Sequence, residues 1–121
     1  MKKLLLVGLI ALLLCPVTLL AADTLVELTW GVSSSSDVTG YYIYRSTTQG
    51  AGYAKVNPTP VVELTYTDTI PGDVETTFYY VVTATDGPNE SGYSNEAFIR
   101  IDNIAPGVVP GLQIKSVTIQ Q

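Results

Sequence analysis

Between Phe78 and Asp86 the chain reads Phe-Tyr-Tyr-Val-Val-Thr-Ala-Thr-Asp. A period of two puts Phe78, Tyr80, Val82 and Ala84 on one face and Tyr79, Val81, Thr83 and Thr85 on the other. A strand that is apolar on one side and semi-polar on the other belongs in the middle of an antiparallel sheet packed on a second layer. The same alternation recurs in shorter runs. Thr24 to Trp30 turns Val26, Leu28 and Trp30 to one face, and Tyr41 to Ser46 points Tyr41 and Ile43 inward and Tyr42 and Tyr44 outward. Tyr53 to Asn57 predicts a short edge strand, because Pro58 and Pro60 stop it continuing inside a sheet. Val61 to Asp68 predicts a strand with Leu64 and Tyr66 as its core pair. Ser94 to Ile101 predicts another, with Ala97, Ile99 and Ile101 inward and Phe98 and Arg100 outward. Turn-forming stretches separate these runs, notably Ile70-Pro71-Gly72-Asp73 and Asp86 to Gly92. No sustained helical period follows residue 22, so the pattern predicts an all-β sandwich.

The two ends break the pattern. Met1-Lys2-Lys3 followed by the apolar run Leu4 to Leu14, then Pro16 and the small pair Ala21-Ala22, has the order of a secretory signal peptide, residues 1–22. Leu4 to Ala22 is also just long enough to span a bilayer, which takes about 17–25 apolar residues; membrane attachment would then run only through an uncleaved leader. Cys15 sits where a lipid anchor would need a small residue before it, and Leu14 is large. At the other end, 103–121 reads as a Pro/Gly linker followed by a strand-like segment, Leu112 to Ile119. Residues 23–102 are left as the sandwich.

Removing the leader changes the chemistry available. The chain has 121 residues, no His and one Cys, and that Cys lies in the leader. With Lys2 and Lys3 gone, four basic residues remain against eleven acidic ones, a net charge of −7. A surface this acidic repels phosphate backbones and excludes nucleic acid as the expected partner. Export without thiols leaves hydrophobic burial to stabilise the domain, and a chain of this length can bury enough.

Four pieces in order resemble the fibronectin type III family in its bacterial and phage form. They are Leu28-Thr29-Trp30; Asp37 to Ser46; Tyr66-Thr67-Asp68-Thr69 running on to Phe78 to Ala84; and Glu90-Ser91-Gly92-Tyr93-Ser94-Asn95-Glu96. The resemblance covers roughly residues 25–101 and implies an immunoglobulin-like antiparallel β-sandwich. It makes Trp30 the core tryptophan of the second strand, places Tyr41 and Ile43 on the third, and makes Phe78 to Ala84 the sixth. Two departures stand out. The family usually has a Tyr where this chain has Phe78, so the loop Pro71 to Thr77 is expected to lack a hydroxyl tie. The family's first strand is also missing ahead of Val26, while Ala105 to Ile119 looks like such a strand at the other end. That segment could fray, fold back beside the tryptophan strand, or add to the open edge of a neighbouring copy.

Catalytic chemistry finds little to stand on. Without His or a mature Cys there is no base for a nucleophilic triad and no zinc ligand set, and no glycine-rich phosphate loop opens a helix. The carboxylates show no spacing that singles out an acid–base pair. Asp86, Asn89 and Glu90 could offer oxygens to calcium, yet turn chemistry accounts for them without metal. The expectation is therefore a non-catalytic exported module without cofactor or metal. The candidate binding residues are Tyr42, Tyr44 and Tyr79, outward tyrosines suited to a protein or glycan ligand. The loops Ser33 to Asp37 and Asp86 to Ser91 are expected at one end of the sandwich. The alternatives are a cell-surface or virion structural subunit that self-associates through Leu112 to Ile119, and a spacer beside a secreted hydrolase.

Overall fold

The computed structural model describes residues 22–120, so the leader reading and Cys15 lie outside the described residues. Six strands follow in order: β1 Thr24–Thr29, β2 Gly40–Ser46, β3 Ala54–Lys55, β4 Thr65–Ile70, β5 Glu75–Thr85 and β6 Ala97–Asp102. They form two antiparallel sheets, β1-β4 and β3-β2-β5-β6. The result is an all-β sandwich of unequal layers. Among the described residues no helix is long and apolar enough to cross a membrane.

The register explains the core. Ile43 lies opposite Val82, Tyr41 opposite Ala84 and Ile99 opposite Phe78, so these side chains share the inner face of the larger sheet. Ile43, Ile70, Phe78, Tyr80 and Ile101 are buried together, with Val26, Leu28, Trp30 and Tyr66 of the smaller sheet packed against them. Trp30 and Val82 are half-buried, and the indole meets the Tyr41 ring with centroids 5.6 Å apart. Burying apolar surface at about 25 cal/mol per Å² drives this closure.

Side chains close the edges that short strands leave open. Beyond β3, Asn57 is buried; its Oδ1 accepts from the Ile43 amide (2.7 Å) and its Nδ2 donates to the Tyr41 carbonyl (3.0 Å). Val61 then exchanges two backbone bonds with Tyr41 (2.8 and 3.0 Å). This crossing runs so close that a Cβ on Gly40 would lie 2.8 Å from the Pro60 Cβ. On the other side of β5, Ser91 and Ser94 donate their amides to the Ala84 and Val82 carbonyls, and their hydroxyls accept from the Ala84 and Val82 amides. The segment from Glu90 to Glu96 thus follows β5 without being a regular strand.

One expectation needs correcting, and two open points gain a structural account. The strand expected at Val61 to Asp68 is displaced to Thr65–Ile70, because the proline-rich crossing holds Val61 against Tyr41; Leu64 is exposed, and Tyr66 and Ile70 point inward with Asp68 between them. The loop before β5 has no hydroxyl tie from position 78, and Asn103 holds it instead. Asn103 accepts from the Val74 amide (2.6 Å), donates its own amide to the Val74 carbonyl (3.1 Å), and reaches the Gly72 carbonyl and Thr24 Oγ1. Leu112 to Ile119 carries no strand. Its side chains stand in solvent, Leu112 94% and Ile114 84% exposed, because no second strand lies beside them to take up the ladder bonds.

Candidate functional site

The three candidate tyrosines do share the outer face of the larger sheet. Tyr42 lies opposite Thr83, Tyr44 opposite Val81, and Tyr79 opposite Ser46. The face is not bare, however: Val81 and Thr83 are 3% and 2% exposed. The returning segment covers them. Glu90 accepts from the Thr83 hydroxyl (2.6 Å) and from the Tyr44 hydroxyl, and Tyr93 sets its ring edge-on to Tyr44 and Tyr53 (centroids 5.3 and 5.1 Å). Glu96 accepts from the Gly50 amide and the Tyr53 hydroxyl. Lys55 holds its ammonium 3.4 Å from the centre of the Tyr42 ring, a cation–π contact, and 4.0 Å from Glu90. Tyr79 turns instead toward Phe98 on β6, with centroids 6.1 Å apart.

The electrostatics follow from these partners. Burial, then the bond to Glu90, pushes the Tyr44 phenol up to about 12. The Thr83 hydroxyl, then that of Tyr44, holds the Glu90 carboxyl below its ordinary value. The side-chain and backbone donors of Asn89 do the same for Asp86. Both carboxylates are held ionised and already occupied, which suits neither for proton delivery. The loops at Ser33–Asp37 and Asp86–Ser91 do come together at one end of the sandwich, around a shallow depression.

A charged cluster that the sequence pattern did not reveal joins the two sheets. Asp68, inward on β4, accepts from Arg45 Nη1 and from the Tyr80 hydroxyl on the same oxygen, each at 2.7 Å, while Arg45 also lies over the Phe78 ring. Asp68 is the only carboxylate buried with the core among the described residues. Its bonds run entirely to structural partners.

A wide opening lies on the opposite flank. Between β1 and β6 runs a groove of about 700 Å³, floored by Val26, Leu28, Ala97 and Ile99 and flanked by Leu25 and Phe98. Ile99 faces inward by register, yet it is 42% exposed; Leu25 and Phe98 are 67% and 71% exposed. The two-stranded sheet is too narrow to cover the four-stranded one, and β6 is left unroofed. The backbone along β1 is open as well. The Trp30 amide donates to the Leu64 carbonyl (3.1 Å). Antiparallel alternation therefore turns the amides and carbonyls of Leu25, Glu27 and Thr29 away from β4, toward the free edge. Among the described residues nothing hydrogen-bonds to them. The flank beside β4, by contrast, mixes Arg45, Ser46, Lys55 and Asp68 with Val56 and Phe78.

No protein-family model matches the chain, and a search of curated proteins finds no match.

Proposed function

We propose that this chain is an exported, non-catalytic module of the fibronectin type III kind that binds protein through the open flank of its sandwich. One observation carries the reading: Ile99 is turned into the interior but stands 42% exposed beside a strand whose outer backbone groups have no partner among the described residues. An extended peptide laid there gains ladder hydrogen bonds from β1 and apolar burial from the groove at once, the physics of β-strand addition. The family reading is supported by the layout. With β1 as the second strand, β2 as the third and β5 as the sixth, the open flank is where the family's first strand would lie. Export rests on the leader at residues 1–22, all but Ala22 outside the described residues. The absence of His, and carboxylates already engaged by Thr83, Tyr44, Asn89 and Arg45, support a role without turnover.

A glycan or protein ligand on Tyr42, Tyr44 and Tyr79 is the weaker reading, since Lys55, Glu90, Tyr93 and Phe98 already occupy that face. Peptide display against residues 23–104 separates the two. That fragment retains every core residue and the Asn103 tie. Selected peptides are expected to carry alternating apolar residues, to lose binding to a Glu27→Pro variant, and to keep it with Tyr42→Ala and Tyr44→Ala. Glu27→Pro removes one outward amide and leaves the β1-β4 ladder intact. Ligands on peptide or glycan arrays that ignore Glu27→Pro and vanish with the tyrosine pair would overturn the proposal.

A further inference from the structure

We infer that the occupant of the β1-β6 groove is the C-terminal segment of a second copy of this chain, Leu112 to Ile119, added antiparallel to β1. The inference rests on the groove reading above and names its partner.

The first support is that the segment is unused. Leu112, Ile114, Val117 and Ile119 are 94%, 84%, 81% and 84% exposed. None of the hydrogen bonds among the described residues involves a residue after Asn103. The second support is charge. All eleven acidic residues lie between Asp23 and Asp102, whereas Lys115 is the only charged side chain from Asn103 to Gln121. The tail can approach an acidic sandwich that another sandwich face would repel.

The third support is register. Laid antiparallel with Lys115 opposite Glu27, the segment sets Val117 opposite Leu25, Ile114 opposite Leu28 and Leu112 opposite Trp30. Leu112 and Ile114 then face inward, above the unroofed Ile99, while Val117 covers the exposed outer face of Leu25. The hydrogen-bonded positions fall at Leu25, Glu27 and Thr29, whose groups are free, and their partners Val117, Lys115 and Gln113 include no proline. The same alignment sets Ser116 opposite Val26 and Ile119 opposite Asp23, so the apolar match rests on Leu112, Ile114 and Val117, beside the charge and backbone matches.

The chain's own tail reaches the same edge only with its linker, Ile104 to Gly111, largely extended, a constraint that an arm from a neighbour does not carry. Asn103 bonds to Thr24 Oγ1, so the tail leaves beside the start of β1. A direct return along β1 would run parallel to it. An antiparallel return would first have to carry the linker back along the whole of β1, about 20 Å for six residues. An arm from another copy enters from either end. Because groove and tail are different surfaces, the contact is heterologous and builds head-to-tail chains or reciprocal pairs.

The test uses the chain without its leader, residues 23–121, in sedimentation runs up to about 100 µM. Assemblies that grow with concentration are expected, and they should disappear on truncation after Ile104 or with Glu27→Pro. A synthetic peptide of residues 105–121 should bind the truncated sandwich, at least about tenfold more weakly with Ile114→Asp. Lys115→Glu and Glu27→Lys should each weaken association about two- to fivefold and restore it when combined, which fixes the register without relying on a proline variant. A full chain that stays monomeric throughout would overturn the inference, whether the amides of Leu25, Glu27 and Thr29 are then exchange-protected (the tail folding back in cis) or open. If displayed peptides bind the groove while the 105–121 peptide does not, the partner named here is wrong and the groove reading stands.

Discussion

Replacing Tyr80 by Phe tests how far one buried polar cluster, rather than apolar burial alone, sets the pairing of the two sheets. Tyr80 is 3% exposed, and its ring packs in the core with Ile43, Ile70 and Phe78. The change keeps the ring and removes one oxygen. That oxygen donates to Asp68 Oδ2 at 2.7 Å, and Asp68 is itself 3% exposed. A hydrogen bond to a buried carboxylate contributes about 1.5–3 kcal/mol net. Arg45 still reaches the same carboxylate oxygen at 2.7 Å, so the charge is not left alone in the core and the larger penalty of an orphaned ion does not apply. We therefore expect a loss of about 2 kcal/mol, which in a domain of this size lowers Tm by roughly 10 °C.

Urea unfolding followed by tryptophan fluorescence measures the loss directly, since Trp30 is the only tryptophan. Tyr42→Phe on the outer face serves as the control and should stay within about 0.5 kcal/mol of the parent. A cycle with Asp68→Asn should give strong coupling, the double variant losing much less than the two singles added together. Alkali offers an independent reading. Burial first, and then Asp68, raise the Tyr80 phenol well above its ordinary 10.0. The folded state therefore favours the protonated phenol, so its contribution is complete below pH 10 and falls as pH climbs above that value. Tyr80→Phe should flatten that alkaline limb. A Tyr80→Phe protein as stable as the parent, or additivity with Asp68→Asn, would refute the reasoning.

Ile43 is 0% exposed and Ile99 is 42% exposed, so Ile43→Ala should cost about 2–5 kcal/mol and Ile99→Ala only about 1 in denaturant titrations of the monomer. Asn103→Ala removes the acceptor for the Val74 amide and the donor to the Gly72 carbonyl; about 2 kcal/mol should be lost, with faster amide exchange confined to Gly72–Thr76. Glu90, held below 4.5 by Thr83 and then by Tyr44, adds stability above that value and loses it as pH falls through the lower folded value. The stability difference between the parent and Glu90→Gln should therefore shrink in acid, measured by thermal melts from neutral to acidic pH. Tyr44, raised to about 12 by burial and then Glu90, runs the other way, losing its contribution between pH 10 and about 12.

What the sequence made legible was whatever a single strand decides for itself. Alternation placed Phe78, Tyr80, Ile43 and Tyr41 inward and Tyr42, Tyr44 and Tyr79 outward, as the register has them. It did not find Asp68, because a carboxylate at an inward position contradicts the apolar rule; its reason for being there, Arg45, lies on another strand 23 residues away. Nor could it show that the tyrosine face is covered. That depends on Glu90 and Tyr93 returning across β5, with the serine hydroxyls at 91 and 94 standing in for ladder carbonyls. The tail is the most instructive case. Alternation at Leu112 to Ile119 reads as a strand, yet a strand is a relation between two edges, and a pattern describes only one of them. β1 presents the converse: an edge with outward amides and carbonyls, beside an apolar floor, and among the described residues no strand against it. Each half lacks what the other supplies, so the exposed apolar side chains of Leu112 to Ile119 and the exposure of Ile99 are better explained together than apart.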